Sequence, residues 1–376
     1  MTLRQCATGP GVKTIELWRN LISTLTIDLI QQCGLVALVA LGFGGRFFSQ
    51  NTQVIHVHGD IHVSGSDRKH ESKEWKTYRP LIGILSQGGS PAPEGSSYIA
   101  SSYVKFVESA GARAVPIFHD MSHAEMKRRF KAVNGILIPG GGQDLSPGHP
   151  FYDAVKYLFD LTIEENDKGV LFPMHGTCLG FEAIAIAATG NTSILGRFDA
   201  EDYAQPLYPT EHAEDSRFFK ALPPRVVANL YAKPYAMQNH MNGIAFSAFA
   251  ENPRLDDFFQ VLTLSIDRQK KVYVSTMEAK DYPISATQWH PEKNAFEWTR
   301  DEDIPHHPDA IEVTQEVANS FVDLARMNSH APRFRDEEEE LLIYNYSKDI
   351  VYSGKHLRPG EEVNFDQIYV FPDASP

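Results

Sequence analysis

The stretch MHGTCLGFE, residues 174–182, constrains this chain more than any other. Cys178 stands between Gly176 and Gly180 in the spacing G-x-C-x-G, after the apolar run VLFPM and before the helix-forming run FEAIAIAA. Such a junction reads as a strand that bends sharply into a helix, with glycines where the bend leaves no room for a Cβ. A strand feeding straight into a helix belongs to an α/β fold. The turn either happens to hold a buried thiol that packs as a small hydrophobe, or it exists to present a nucleophile.

The sequence from residue 79 onward keeps to that fold class. Residues 79–87 (RPLIGILSQ), 112–118 (ARAVPIF), 134–142 (NGILIPGGG) and 169–174 (GVLFPM) read as buried strands. Between them, residues 97–111, the segment from the Ser122/Glu125 capping box to Phe130, and residues 151–165 read as helices. The alternation predicts a mainly parallel, doubly wound sheet flanked by helices, with ligands at the carboxyl ends of its strands. FQVLTLSI, KVYVSTMEA and YPISATQWH read as further strands on short connections, and so as antiparallel. LLIYNYSKDIVYSGK and DQIYVFPD read as closing strands of the same domain, which runs over 79–376 with no internal repeat.

A net charge of −13 without any basic cluster excludes a nucleic-acid binder. Part of that charge is the run Asp336–Glu340, read as a solvated helix start. Upstream, residues 34–43 (GLVALVALGF) suit the core of a secretory leader spanning 1–44 and are short for a membrane span; a signal-anchor over 21–44 is the alternative. Residues 45–78 read as a linker. In it His56, His58 and His62 alternate, but no carboxylate or cysteine stands at ligand spacing, so no metal site is assigned. Removal of the leader takes Cys6 and Cys33 with it and leaves Cys178 as the single thiol. Sequons at Asn191 and Asn345 fit the secretory route.

A thiol nucleophile needs a base. His290 ends an apolar strand in SATQWHPEKNAFEW and is followed by Pro291, which keeps it out of the helical region. An extended backbone would then bring Glu292 to the same side as the imidazole, able to orient it. At the elbow, the dipole of the following helix favours a thiolate at Cys178. The N–H of Leu179 points where a carbonyl oxygen gathers charge. The Gly140–Gly141–Gly142 loop, with Gly141 at its centre, offers the second donor.

GTCLGFE, QWHPEK, RPLIGIL, SYIASSYVKFVESAGARAVP and GILIPGGGQDL together resemble the gamma-glutamyl hydrolase (folylpolyglutamate hydrolase) family, within the class I glutamine amidotransferase-like, flavodoxin-like fold. The likeness runs from about Arg79 into the tail; SYIASSYVK, STMEAKDYP and QWHPEKNAFEW narrow it to that family. It implies a cysteine hydrolase with Cys178 as nucleophile, His290 as general base and acid, and Glu292 orienting it. It also implies that Tyr103, Glu182 and His240 bind substrate, although NHMNG around His240 departs from the flanking pattern of animal members. His175 reads as packing. The implied substrate is a folate or antifolate poly-γ-glutamate, with no metal or organic cofactor, in a homodimer of the lysosome, vacuole or extracellular space. Two other readings share the motifs: a glutaminase that hands ammonia to a synthase, or another γ-glutamyl peptidase, and a non-catalytic binding protein on the same fold.

Overall fold

The computed structural model of the chain describes residues 74–346, 350–352 and 365–372. The leader, most of the linker, and His56, His58 and His62 lie outside the described residues.

Among the described residues the main sheet has eight strands: β1 Leu81–Leu85, β2 Arg113–Ile117, β3 Gly135–Ile138, β4 Met174–Thr177, β5 Tyr208–Pro209, β6 Phe259–Ile266, β7 Val272–Ala279 and β8 Ile284–Thr287. Their order is β2-β1-β3-β4-β8-β7-β6-β5. The first five in that order are mutually parallel, and the β8-β7, β7-β6 and β6-β5 pairings are antiparallel. β8 thus differs from the reading above: it is antiparallel to β7 yet parallel to β4. The helices α1 Ser101–Ser109, α2 His123–Ala132, α3 Pro150–Asp167, α4 Leu179–Thr189 and α5 Pro308–Arg326 pack on the sheet.

Both faces are covered, which is why the parallel strands read as unbroken apolar runs. Leu81 and Leu85 of β1 join Met126 and Phe130 of α2, Val155 and Leu158 of α3, and Ile184 of α4 in one core. Ile82 and Ile84, on alternate positions, join Val104 and Phe106 of α1 and Val313 and Phe321 of α5 in the other. Each such side chain contributes roughly 1.5–3 kcal/mol by leaving water.

Several boundaries differ from the sequence reading. Residues Ser96–Ala100 form a strand, and α1 starts only at Ser101. That strand pairs with Gln367–Pro372 and Gln87–Gly88 in a second small sheet completed by Ile350–Tyr352. β4 starts at Met174, not at residue 169, because the chain before it is held otherwise: Phe172 donates its N–H to the Asn166 side chain, and Pro173 has no N–H to give. Residues 343–345 make a 3-10 turn, not a strand. The acidic run does begin a helix, Arg335–Leu341, but Glu337 is buried there, in an ion pair of 2.5 Å with Arg128 of α2. Ser122 caps α2 by accepting from the Glu125 N–H at 3.3 Å, as its spacing predicts.

Candidate active site

Four adjacent parallel strands, β1, β3, β4 and β8, deliver their carboxyl ends to one place. There the chain continues into Gln87, the Gly140–Gly142 loop, Cys178 and His290 in turn. A cavity of about 480 Å³ opens at this point, and Gly141, Cys178, Leu179, Glu182, His240 and His290 are among its lining residues.

Cys178 joins β4 to α4 with φ 52° and ψ −106°, a backbone that residues other than glycine adopt at a cost of roughly 1–3 kcal/mol. Surrounding contacts hold it there. Its N–H donates to Thr287 O at 2.8 Å, and its carbonyl accepts from the Glu182 N–H at 3.1 Å. The flanking glycines are a matter of space: a Cβ at Gly176 would lie 2.6 Å from Gly180 O, and one at Gly180 would lie 2.2 Å from Ile138 O.

His290 follows β8 by three residues, its N–H anchored to Met237 O at 2.8 Å. Its Nδ1 lies 2.7 Å from Glu292 Oε1, and both side chains are buried. Its Nε2 is buried without a protein partner among the described residues. The ring and the thiol share a neighbourhood: a point above Gly140 lies 2.8 Å from His290 Cε1 and 3.2 Å from Cys178 Cβ. Glu292 reaches the imidazole by a route other than the extended segment expected. The backbone at Glu292 is helical (φ −74°, ψ −26°), capping the short helix Lys293–Phe296, so a turn brings the carboxylate back.

The electrostatics correct one expectation. Burial, then the charges of Glu182 and Glu292, push the Cys178 thiol well above its ordinary value; the Leu179 N–H and Lys293 oppose them and lose. The helix terminus alone does not make a resting thiolate, so the sulfur needs His290 to take its proton. Glu292 runs the other way: burial raises it, but the charge of and hydrogen bond to His290 hold it below the usual carboxylate range. Burial raises Glu182 to about 7, against a hydrogen bond of 3.2 Å donated by Gln288 Nε2. Burial lowers His240 to about 3. The ring is therefore neutral at ordinary pH, and Nδ1–H donates to Asn242 O at 2.6 Å.

Tyr103, for which the resemblance implies a substrate contact, is not among the residues that line the cavity. It is buried beside the glycine loop, its hydroxyl 2.7 Å from that same point above Gly140, where it accepts from the Gly140 N–H at 2.8 Å and lies 3.4 Å from His290 Nδ1. Gln87 Nε2 donates to Gly140 O at 2.6 Å, so the peptide units on both sides of Gly140 are tied. A Cβ at Gly141 would fall 1.8 Å from Gln87 Oε1. Gly141 and Leu179, by contrast, line the cavity. His175 packs between Phe218 and Phe321 with Nδ1 2.9 Å from Ser285 Oγ, away from the cavity.

Three further residues escaped the sequence reading. Lys293 lines the cavity and pairs with Glu302 at 2.5 Å. Glu302 accepts from Asn239 Nδ2 at 2.8 Å, and Asn239 O lies 3.8 Å from Cys178 Sγ. Lys293 follows a motif that draws attention to its neighbours, while Asn239 and Glu302 come from distant segments with no local pattern.

The peptidase C26 family model matches residues 80–292. Gamma-glutamyl hydrolase 1 of Arabidopsis thaliana is 40% identical over 302 residues, covering 78% of this chain and 83% of its own. Gamma-glutamyl hydrolases of Homo sapiens and Dictyostelium discoideum are 38% and 37% identical, each over 78% of this chain and over 90% and 83% of their own. Among solved structures, PurLQS from Thermotoga maritima aligns over 65% of this chain and 98% of its own at a TM-score of 0.40 and 13% identity, too loosely to bear on the site. By the extent of these sequence matches, the chain belongs to the peptidase C26 family, alongside the gamma-glutamyl hydrolases.

Proposed function

We propose that the chain hydrolyses γ-glutamyl amide bonds through a thioester on Cys178, and that its substrate is a folate or antifolate poly-γ-glutamate. The observation that carries the reading is the buried Glu292–His290 pair, whose imidazole lines the same cavity as the elbow cysteine and keeps its Nε2 without a protein partner among the described residues. The relatives' activity supports the choice of bond.

His290 Nε2 takes the thiol proton as Cys178 sulfur bonds to the γ-carbonyl carbon. The carbonyl electron pair moves onto oxygen, held by the N–H groups of Leu179 and Gly141. When that pair returns, the carbon–nitrogen bond breaks and the imidazolium passes its proton to the departing amine. Water then gives a proton to His290 and attacks the thioester, and the carbon–sulfur bond breaks to restore the thiol. Glu292 fixes the ring and stabilises its cation. Tyr103 positions the glycine loop and the ring through its hydroxyl, and Glu182 and His240 contact substrate from the cavity wall. Incubation of the full chain with folate pentaglutamate, followed by chromatography, should show shorter folates and released glutamate. Cys178→Ala should show neither, and substantial turnover by that variant would overturn the assignment.

We further propose entry into the secretory pathway and delivery to a lysosome, vacuole or the outside, as a homodimer. The apolar stretch at 34–43 and the exposed position of Asn191 within its sequon support the route. Expression in a eukaryotic cell should give a species whose mobility changes on glycosidase treatment. Light scattering should give twice the chain mass.

A further inference from the structure

A site for poly-γ-glutamate must receive carboxylates, yet two of the charged residues lining this cavity, Glu182 and Glu201, are acids. The one ammonium or guanidinium among its lining residues is Lys293. Its side chain is 1% exposed, and that of Glu302, its partner, 7%. Placing an ammonium there has a cost that a single ion pair offsets only in part. The pair is also built in rather than incidental: Glu302 spends one oxygen on Lys293 and the other on Asn239, the residue whose carbonyl lies beside the sulfur. An ammonium has three N–H groups, and among the described residues Glu302 Oε2 is the only acceptor for them.

We infer that Lys293 receives a substrate α-carboxylate adjoining the scissile amide, with Glu302 holding the ammonium in place beforehand. This rests on the hydrolase reading above. In a γ-linked chain both residues joined by the scissile bond keep a free α-carboxylate, one on the acyl side and one on the departing side. In an α-linked chain the acyl-side α-carboxyl is consumed in the bond itself. Where the acyl-side carboxylate is the one held, a fixed cation at this wall favours γ- over α-linkage without any contact to the distant folate. The same cation opposes the carboxylates that disfavour charge on the sulfur.

The test compares kcat/KM for γ-glutamyl substrates in which the acyl-side or the departing-side α-carboxylate is converted to the carboxamide. Wild-type protein should lose roughly 10- to 100-fold in one of the two arms, the size of one charge-assisted hydrogen bond, and that arm identifies the carboxylate. Lys293→Met should cleave the masked and unmasked substrates of that arm at similar rates, and Lys293→Arg should restore part of the difference. The double variant Lys293→Met with Glu302→Gln removes the buried charge pair together, so it keeps the comparison open if the single variant fails to fold. Wild-type discrimination retained in these variants, or none in the wild type, would overturn the inference. A wild-type protein that cleaves no γ-linked substrate at all would instead overturn the hydrolase reading, and the inference with it.

Discussion

Glu182 gives a sharp test of how the site is charged. Its carboxyl is buried at the first turn of α4 and is raised to about 7 by that burial, from an ordinary 4.5. Between those two pH values the folded protein keeps a proton that the unfolded chain has lost. Stability therefore falls as pH rises from about 4.5 to about 7, and the full loss is present above that. At roughly 1.4 kcal/mol per pH unit, the difference amounts to about 3 kcal/mol. Glu182→Gln keeps the shape and can still accept from Gln288, but it has no proton to lose. Urea unfolding of both proteins at pH 4.5 and pH 8, followed by tryptophan fluorescence, should show the wild type losing about 3 kcal/mol more than the variant. Glu297, also buried and raised to about 7, adds a similar slope to both proteins and cancels in the comparison. Parallel pH dependences would refute the reasoning, because they would mean that Glu182 is solvated or ionised in the fold.

Other perturbations separate chemistry from support. His290→Ala should abolish turnover, whereas Glu292→Gln should lower kcat by a smaller factor, roughly 10²- to 10⁴-fold, because the ring loses its orienting charge and not its proton-transfer role; equal losses would contradict that division. Tyr103→Phe should lower kcat with KM nearly unchanged, since the hydroxyl meets the Gly140 N–H and the ring and not the cavity; a change in KM alone would return Tyr103 to the substrate. Gly180→Ala should cost at least about 3 kcal/mol in unfolding measurements, because its Cβ meets a backbone oxygen at 2.2 Å, while Gly142→Ala, with open space around it, should be neutral.

The layers were legible in the sequence because burial on both faces writes itself as continuous apolar runs, broken by glycine or by helical spacing. Cys178 and His290 were legible for a related reason: each stands at the end of such a run, where a doubly wound sheet gathers its ligands. Glu292 was legible as a partner by nearness in sequence, although the turn at residues 291–292 brings it to the ring where a strand was expected. Tyr103 carries a recognisable motif, but a motif does not say on which side of the glycine loop its hydroxyl lies. The protonation of Cys178 depends on two carboxylates and a depth of burial that only the assembled site defines. The same holds for the Lys293–Glu302–Asn239 chain, whose members lie on segments up to 63 residues apart.

The bend at residue 178 also bears on what selection must maintain. With a positive φ, this position would be more comfortable for glycine, which has no Cβ to strain. A lineage that no longer needed the sulfur could gain stability by mutating to glycine there, so retention of cysteine at this bend is a preference the backbone opposes. A Cys178→Gly protein that proved harder to unfold than Cys178→Ala would make that opposition measurable.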